Sequence, residues 1–368
     1  AGRFQSVPRG SCTTPQLPNG QFFLSASSNQ GVKNYPGDIS DAFACIAALG
    51  DQGCGFEGQL KSVRWALDPQ NTPPENAGFL RAEAYLAVIL VTNEDDCSVP
   101  DDSNLADPTQ TRMTDPLGPL WSWRCNEFGH LCNINGALQS PPRGTPVNNL
   151  QACVSNDTAT GKLTHVKDEI AFLKSLKADP QQLFVAAITG PATPYSSEMI
   201  QNPQDLDPHP NIVHSCVQNS GEYADPAVRI QQYVEGFGNH GVLQTICANT
   251  FAPPLMVIAT EIGKLMGPAC VPGNLVDSNP ATPALDPDCT VVERYVDSQG
   301  KTVSTTVPAC SANGEAAPCW SLVVDSSRCP GNSLILQLNR GAAQIPNGLT
   351  TMLSCAQCVP GISVAGCP

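Results

Sequence analysis

Six polar residues follow an apolar stretch in the segment "AYLAVILVTNEDDCSVPDD", and their oxygens could bind a metal ion. They are Asn93, Glu94, Asp95, Asp96, Asp101 and Asp102. Residues 82–111 contain seven acidic residues and no Lys or Arg, so no residue nearby in sequence neutralises them. Oxygen ligands of this kind suit Ca²⁺ or Mg²⁺. The alternative is a set of solvated loop carboxylates, because their spacing does not match an EF-hand loop.

The apolar stretch predicts the structure that would position these carboxylates. Residues 85–91 are apolar at successive positions. This pattern is typical of a parallel strand that helices cover on both faces. In open α/β sheets, ligands bind at the carboxyl ends of the strands. The sequence therefore places the acidic residues at the ligand-binding edge of a sheet.

Further segments alternate between helical and strand patterns, which favours an α/β layer fold. A second buried strand is predicted at residues 183–188. Thr164 and Asp225 are predicted N-caps, and Pro226 is a predicted first helical residue. The predicted buried helix positions are Leu60, Val63 and Leu67; Val166, Ile170, Leu173 and Leu176; Ala227, Ile230, Val234 and Phe237; and Leu255, Ile258, Ile262 and Leu265.

Two regions depart from this α/β pattern. Residues 98–163 are rich in Pro, Asn and Asp, and they include Trp121 and Trp123. We expect them to form a long insertion stapled by disulfides. Residues 268–368 combine strand-like segments with many cysteines. The predicted organisation is an α/β domain over 1–267 and a small disulfide-rich β module over 268–368.

Charge and cysteine content restrict the function and the compartment. The formal net charge of −14 gives no basic surface for phosphates, so nucleic acid is not an expected partner. No apolar run is long enough to span a membrane, and no signal peptide is evident. Seventeen cysteines predict an oxidising compartment: secreted, at the cell surface or in the periplasm. Their odd number leaves at least one thiol outside an intrachain bridge. The predicted disulfides are Cys45–Cys54, Cys216–Cys247 and Cys270–Cys289.

Other chemical motifs are weaker. The "CAQC" pair, Cys355 and Cys358, lies in the cysteine-dense tail, where structural disulfides are expected. His209, His214 and Cys216 form an incomplete zinc set. No G-x-S-x-G elbow or readable Ser/His/Asp grouping occurs, so no catalytic residue is predicted.

Four blocks carry a family resemblance: "ACIAALGDQGCGFEGQLKSVRWAL", "NAGFLRAEAYLAVILVTNEDDCS", "LKADPQQLFVAAITGP" and "RIQQYVEGFGNHG". Together they resemble secreted von Willebrand factor A (vWA)-like proteins of myxobacteria and related bacteria, over roughly residues 40–266. The resemblance implies a doubly wound, mostly parallel sheet with a metal-ion-dependent adhesion site.

The resemblance also implies particular site residues, and the chain departs from them. The family's Asp after a strand like residues 85–91 falls on Asn93, which has no charge. The D-x-S-x-S motif and the first strand that precedes it do not occur. The loop "GDQGCGFEG" lacks the expected Thr. Either an N-terminal segment is missing, which we favour, or the adhesion site has decayed. A separate Ca²⁺ held by Asp95, Asp96, Asp101 or Asp102 is a further alternative.

The predicted function is therefore a non-enzymatic, extracellular binding or adhesion protein that engages a protein partner, with Ca or Mg as the only expected cofactor. If no metal is bound, recognition is expected to fall to the insertion with Trp121 and Trp123, although burial of these aromatics is the alternative. One rival is a structural subunit of a larger cell-surface or envelope assembly with a degenerate metal site. A less favoured rival is a secreted metal-dependent hydrolase.

Overall fold

The computed structural model describes most of the chain in two compact units, residues 1–258 and 259–368. The sequence predicts the boundary at 267/268. The described residues are 2–13, 15–18, 20–27, 32–50, 53, 55–82, 84–203, 206–266, 270–271, 273–281, 285–296, 301–310, 317–325, 329, 334–341, 346, 349–358 and 365–367.

The described elements make a mixed α/β protein. The helices are α1 (Ile39–Ala47), α2 (Gln59–Leu67), α3 (Trp123–Gly129), α4 (Val166–Ser175), α5 (Val228–Glu235) and α6 (Ala252–Met266), with short 3₁₀ turns at Pro74–Asn76, Pro180–Gln182 and Gly238–His240. The strands are β1 (Ala26–Ser27), β2 (Val32–Lys33), β3 (Leu86–Val91), β4 (His130–Ile134), β5 (Ala137–Gln139), β6 (Gln151–Ser155), β7 (Leu183–Thr189), β8 (Ser196–Ile200), β9 (His209–Val213), β10 (Cys216–Val217), β11 (Tyr223–Ala224), β12 (Gly241–Thr245), β13 (Cys270–Val271), β14 (Cys289–Val296), β15 (Thr302–Val307), β16 (Cys319–Val324), β17 (Leu334–Asn339) and β18 (Thr350–Cys355).

A three-stranded parallel sheet, in the order β12–β7–β3, forms the centre of the first unit. Leu86 of β3 lies beside Leu183 of β7, and Val185 of β7 lies beside Gly241 of β12. Alternate residues of β3 and β7 pack against α2, α4 and α5 in one apolar core. Both strands predicted from the sequence are confirmed, and all three of these helices lie on one face of the sheet.

The opposite face of β3 is open, which corrects the prediction that helices cover both faces. Ala87, Ile89 and Val91 are exposed, the last two by 42% and 57% of their surface. The corresponding residues of β7 are buried. The apolar sequence of β3 therefore does not reflect burial on both sides.

The predicted helices are confirmed, but two of their predicted caps are wrong. α4 begins after His165, and the Asp157 carboxylate accepts hydrogen bonds from the backbone N–H groups of Val166 and Lys167 at 2.9 and 3.0 Å. Asp157 therefore takes the part predicted for Thr164. α5 begins at Val228 after an N-cap at Ala227, so Asp225 and Pro226, the predicted N-cap and first helical residue, both lie before the helix. On α6, Ile258 is buried as predicted, whereas Leu255 is 47% exposed.

The insertion is ordered around a buried arginine. Arg124 is 1% exposed, and its guanidinium donates five hydrogen bonds to backbone carbonyls of residues 105–119, at 2.5–3.1 Å. Two disulfides, Cys97–Cys125 and Cys132–Cys153, staple the same region. This part of the chain therefore obtains its order from polar contacts and crosslinks as well as from apolar burial.

The second unit contains two antiparallel three-stranded sheets, β13–β17–β16 and β15–β14–β18. Val291, Val307 and Trp320 form one small core, and Val271, Leu275 and Leu334 form another. The predicted β-rich, disulfide-dense character of this region is confirmed.

Within the described part of the chain, sixteen cysteines form eight disulfides, a density typical of an oxidising compartment. They are Cys12–Cys45, Cys97–Cys125, Cys132–Cys153, Cys216–Cys247, Cys270–Cys329, Cys289–Cys355, Cys310–Cys319 and Cys358–Cys367.

One of the three predicted disulfides is present, the bridge between Cys216 and Cys247. The predicted pairs Cys45–Cys54 and Cys270–Cys289 are wrong. Cys45 bonds to Cys12, Cys270 bonds to Cys329, and Cys289 bonds to Cys355, which lies opposite it in the β14–β18 pairing. Cys54 lies outside the described residues.

Candidate functional site

The turn after β3 forms the centre of the candidate site. The Thr92 hydroxyl accepts hydrogen bonds from the backbone N–H of Glu94 and from the Gln59 side-chain amide, at 3.2 and 2.9 Å. The backbone N–H of Asp225 donates to the Asn93 carbonyl at 2.8 Å. These contacts bring the end of β3, the start of α2 and the segment before α5 together at the carboxyl edge of the sheet.

Asp95 caps α5. Its carboxylate accepts hydrogen bonds from the backbone N–H groups of Arg229 and Ile230 at 2.9 and 3.1 Å. The helix N-terminus has free N–H groups and partial positive charge, so it stabilises a carboxylate there. Burial alone would raise the pKa of Asp95, but the hydrogen bond from His130 and the charges nearby lower it overall. Asp95 is therefore a structural anion.

The Asp96 carboxylate, like that of Asp95, is bound by other groups of the protein. Its carboxylate, which is completely buried, forms an ion pair with Arg229, with Nη2 to Oδ2 at 3.0 Å. It accepts a further hydrogen bond from the backbone N–H of Leu60, in the first turn of α2, at 2.9 Å, and it contacts the Ser98 hydroxyl. One carboxylate thus connects α2, α5 and the end of β3.

A chain of buried polar groups extends from Asp95 into the insertion. His130 Nε2 donates to the Asp95 carboxylate at 2.8 Å, and His130 Nδ1 lies 3.0 Å from the Tyr195 hydroxyl. That hydroxyl donates to the Asn126 side-chain oxygen at 2.8 Å. Burial raises the pKa of Tyr195 well above its ordinary value, so the hydroxyl stays protonated. The chain fixes the imidazole and connects the insertion to the sheet edge.

A small cavity of about 30 Å³ lies beside these residues. Glu57, Glu94 and Asp225 line it, together with the edges of Asp95, Asp96 and His130. Burial, together with the negative charges of Glu57 and Asp225, raises the pKa of Glu94 to about 7. Within the described part of the chain, the Glu94 carboxylate makes no hydrogen bond or ion pair. It is the acidic group in the cavity that is available to a ligand.

Asp225 has a partner of its own at the mouth of this region. His214 Nδ1 lies 2.6 Å from its carboxylate, and the His214 ring stacks on Tyr223 at 3.7 Å. Burial raises the pKa of Asp225 even though His214 opposes that effect. The backbone of Asp225 packs closely against Gly190, just after β7, because a Cβ at Gly190 would lie 2.1 Å from the Asp225 carbonyl oxygen.

The structure separates the six residues that the sequence groups together. Glu94, Asp95 and Asp96 line the cavity, whereas Asn93, Asp101 and Asp102 do not. Asp101 is exposed and pairs with Lys61, with Nζ to Oδ1 at 2.6 Å. No residue nearby in sequence neutralises these carboxylates, but Arg229, His130 and Lys61 reach Asp96, Asp95 and Asp101 from other parts of the chain.

The predicted metal ligand set does not fit a cation in this geometry. Among the described residues, no three His, Cys, Asp or Glu side chains are grouped so that they could hold a metal ion. Asp95 and Asp96 point their oxygens at helix N-termini, at His130 and at Arg229. The remaining carboxylates of the cavity are Glu57, Glu94 and Asp225.

Sequence reasoning missed four residues of this site: Glu57, His130, Asp225 as a cavity residue, and Arg229. Glu57 had a signal, since it is an acidic residue in a Gly-rich loop before a predicted helix. Arg229 also had a signal in the sequence, because it lies between the predicted buried positions Ala227 and Ile230. His130 had no readable signal, since its partners Asp95 and Tyr195 are distant in sequence.

The weaker motifs are accounted for by other contacts. Cys216 is in a disulfide and His214 pairs with Asp225, while His209 packs on Trp121 with ring centroids 4.6 Å apart. Cys355 and Cys358 bond to Cys289 and Cys367, so "CAQC" is structural as predicted. Trp123 is buried, and Trp121 is 37% exposed.

Comparison with models of known protein families, with curated proteins and with solved structures returned no match. In the described residues, no helix is both long and apolar enough to cross a membrane. The class supported by the geometry is a disulfide-rich α/β protein with a carboxylate-lined cavity at the carboxyl edge of a parallel sheet.

Proposed function

We propose that this chain is a non-enzymatic, extracellular binding protein that engages a protein partner at the carboxyl edge of the β3–β7–β12 sheet. A cationic group of the partner, a lysine ammonium or an arginine guanidinium, enters the cavity and pairs with Glu94. The observation that carries this proposal is the position of the Glu94 carboxylate, which lines the cavity beside Glu57 and Asp225 and makes no hydrogen bond or ion pair among the described residues. Uncompensated negative charge in a partly buried site favours binding of a cation.

The size of the cavity supports a side-chain tip over a substrate. A volume of about 30 Å³ exceeds the roughly 10–15 Å³ that one water molecule needs. It is far below the roughly 300–1,000 Å³ of small-molecule sites. The cavity therefore suits one ammonium group or one ion, which favours binding over catalysis.

The vWA-type fold and metal-dependent adhesion, which the sequence resemblance implies, are also proposals. The three-stranded parallel sheet is compatible with part of a doubly wound sheet. The same carboxylates attract Ca²⁺ or Mg²⁺, but they lack the grouped ligands that such a metal requires. We therefore favour a protein cation as the bound group. A subunit role in a larger surface assembly is a second proposal, supported by the open face of β3.

The proposal is tested by NMR titration of the protein with Nα-acetyl-lysine methylamide at pH 8. We expect saturable shifts at Glu94 and at the backbone amides of residues 93–96. Nε-acetylated lysine, which has no charge, is expected to give none. Calcium chloride forms a parallel arm, because saturable shifts with calcium alone would favour the metal-dependent form.

Two variants with the same change in charge make the test specific. Glu94→Gln removes the available carboxylate, and we expect at least about a tenfold loss of affinity, equivalent to one charge-assisted contact. Asp102→Asn is the control, because Asp102 is exposed and outside the cavity. Equal binding by both variants, or binding of the acetylated ligand, would contradict the proposal.

A further inference from the structure

β3 is an edge strand with an unused row of backbone hydrogen-bonding groups. Among the described residues it pairs with β7 alone. The backbone N–H of Thr92, just after β3, donates to the Ile188 carbonyl of β7. Because backbone direction alternates along a strand, Leu86, Val88 and Leu90 also face β7. Ala87, Ile89 and Val91 therefore point their N–H and C=O groups away from the sheet.

The side chains of the same three residues are apolar and exposed. Ile89 and Val91 are 42% and 57% exposed, and Tyr85, just before the strand, is 47% exposed. An apolar edge strand without a neighbour is a template for pairing with another strand, and proteins usually cover or charge such edges. No charged residue lies within Leu86–Val91.

A gap beside the amino end of β3 provides room for an added strand. It has a volume of about 330 Å³ and lies between residues 23–26 and residues 84–87. Phe79 and Leu80 form part of its wall. The backbone of β3 is therefore accessible at its amino end as well as along its open face.

The charges around β3 differ between its two ends. Lys177 lies at the amino end, where its ammonium donates to the carbonyls of Arg81 and Ala84. Glu94 and Glu57 lie at the carboxyl end. The sheet is parallel throughout, so we take an added strand to continue that direction. Such a strand would match both ends if it carried an acidic residue before its apolar positions and a Lys or Arg after them.

We propose that the edge of β3 binds an extended β-strand of a partner protein, in parallel, with alternating apolar residues and a basic residue at its carboxyl end. Main-chain hydrogen bonds to Ala87, Ile89 and Val91 supply the affinity. Apolar side chains of the added strand cover Ile89 and Val91, and its basic residue meets Glu94. This is β-strand addition, a known mode of peptide recognition. The pairing with the β3 backbone is independent of the proposed cation-binding function, and only the contact of the basic residue with Glu94 rests on it.

The test uses a synthetic peptide of alternating threonine and valine, with glutamate at its amino end and lysine at its carboxyl end. Amide hydrogen exchange, followed by NMR, is measured with and without the peptide. In the free protein, the amides of Ala87, Ile89 and Val91 should exchange rapidly, and those of Val88 and Leu90 slowly. The peptide should slow exchange of the first three at least about tenfold. The same peptide with its two charges interchanged should give much weaker protection.

A pair of variants at one position separates backbone pairing from side-chain contact. Ile89→Pro removes an outward N–H without removing a bond to β7, which an edge strand tolerates. It should weaken peptide binding at least about tenfold. Ile89→Thr keeps the N–H and should bind within about threefold of the wild type, so it remains informative if the proline variant does not fold.

Three results would overturn the proposal. One is rapid exchange at Ala87, Ile89 and Val91 in the presence of excess peptide. Another is slow exchange at these amides in the free protein at the lowest concentration used. The third is a dimer by light scattering whose formation protects the same amides, since that would assign the edge to a second copy of this chain.

Discussion

Arg229 and Asp96 form an ion pair with both side chains completely buried, with Nη2 and Nε of the arginine 3.0 and 3.2 Å from the same carboxylate oxygen. Arg229 also donates to the Ser155 hydroxyl and to the Thr164 carbonyl. The pair therefore connects α5, the end of β3 and the insertion. An acidic residue that resembles a metal ligand in the sequence is a structural anion in the fold.

Replacement of Arg229 by Met should destabilise the protein strongly. The variant leaves the Asp96 carboxylate buried without its cation, a change that typically costs about 3–5 kcal/mol. Urea denaturation of the wild type and of Arg229→Met measures the loss. The double variant Arg229→Met/Asp96→Asn should recover part of it, because no uncompensated charge remains. A double variant no more stable than the single one would contradict this explanation.

Replacement of Arg124 by Lys should destabilise the insertion although the positive charge is kept. A lysine ammonium has three donors, so it cannot reproduce the five hydrogen bonds of the guanidinium. We expect a loss of about 2–4 kcal/mol, with faster proteolysis within residues 105–119. Arg112→Lys is the control, because Arg112 is 50% exposed and should change stability little.

Glu94→Gln should change the pH dependence of stability. The raised pKa means that the folded state holds the Glu94 proton more tightly than the unfolded state does. The wild type therefore loses stability as the pH rises from about 4.5 to about 7. Since Glu94 is only partly buried, the expected gain of the variant at pH 8 is about 1–2 kcal/mol, with little difference at pH 4. A gain that is equal at both pH values would exclude titration of Glu94 as its cause.

His130→Phe should destabilise the protein by about 2–3 kcal/mol near neutral pH, because it removes the donor to the buried Asp95 carboxylate and the contact with Tyr195. Because the pKa of Asp95 is lower in the folded state than in the unfolded state, its carboxylate stabilises the fold at pH values above the unfolded-state pKa. This stabilisation is lost as the pH falls through the folded-state pKa. The variant should therefore lose less stability than the wild type on acidification. His165→Phe, at a partly exposed position, is the control.

The elements were predictable from sequence because they depend on local patterns. The apolar spacing in α2, α4 and α5, and the apolar runs in β3 and β7, read directly as helices and strands. Helix caps were less predictable, because Asp95 lies 134 residues before Arg229 of α5 and Asp157 lies nine residues before Val166 of α4, so neither is at the position next to its helix. The same limit explains the wrong pairings of Cys45, Cys270 and Cys289, because their partners lie 33, 59 and 66 residues away in the chain, and connectivity cannot be deduced from sequence alone.

The location of the candidate site was predictable from the sequence, but the partners of its carboxylates were not. The carboxyl end of β3 does carry the acidic cavity. However, Arg229 and His130 lie 133 and 35 residues from the carboxylates that they bind, so a local count of charges gave the wrong balance. Only the tertiary structure separates Asp95 and Asp96, which are already paired, from Glu94, which is not.

The pKa of Glu94 tests the central claim most directly. It can be measured by following the side-chain carboxyl carbon by NMR across pH, with and without Nα-acetyl-lysine methylamide. We predict a pKa of about 7 in the free protein and a lower value when the ammonium group is bound, because a nearby cation favours the carboxylate. A pKa near 4.5 that the ligand does not change would contradict the account of this cavity as a cation-binding site.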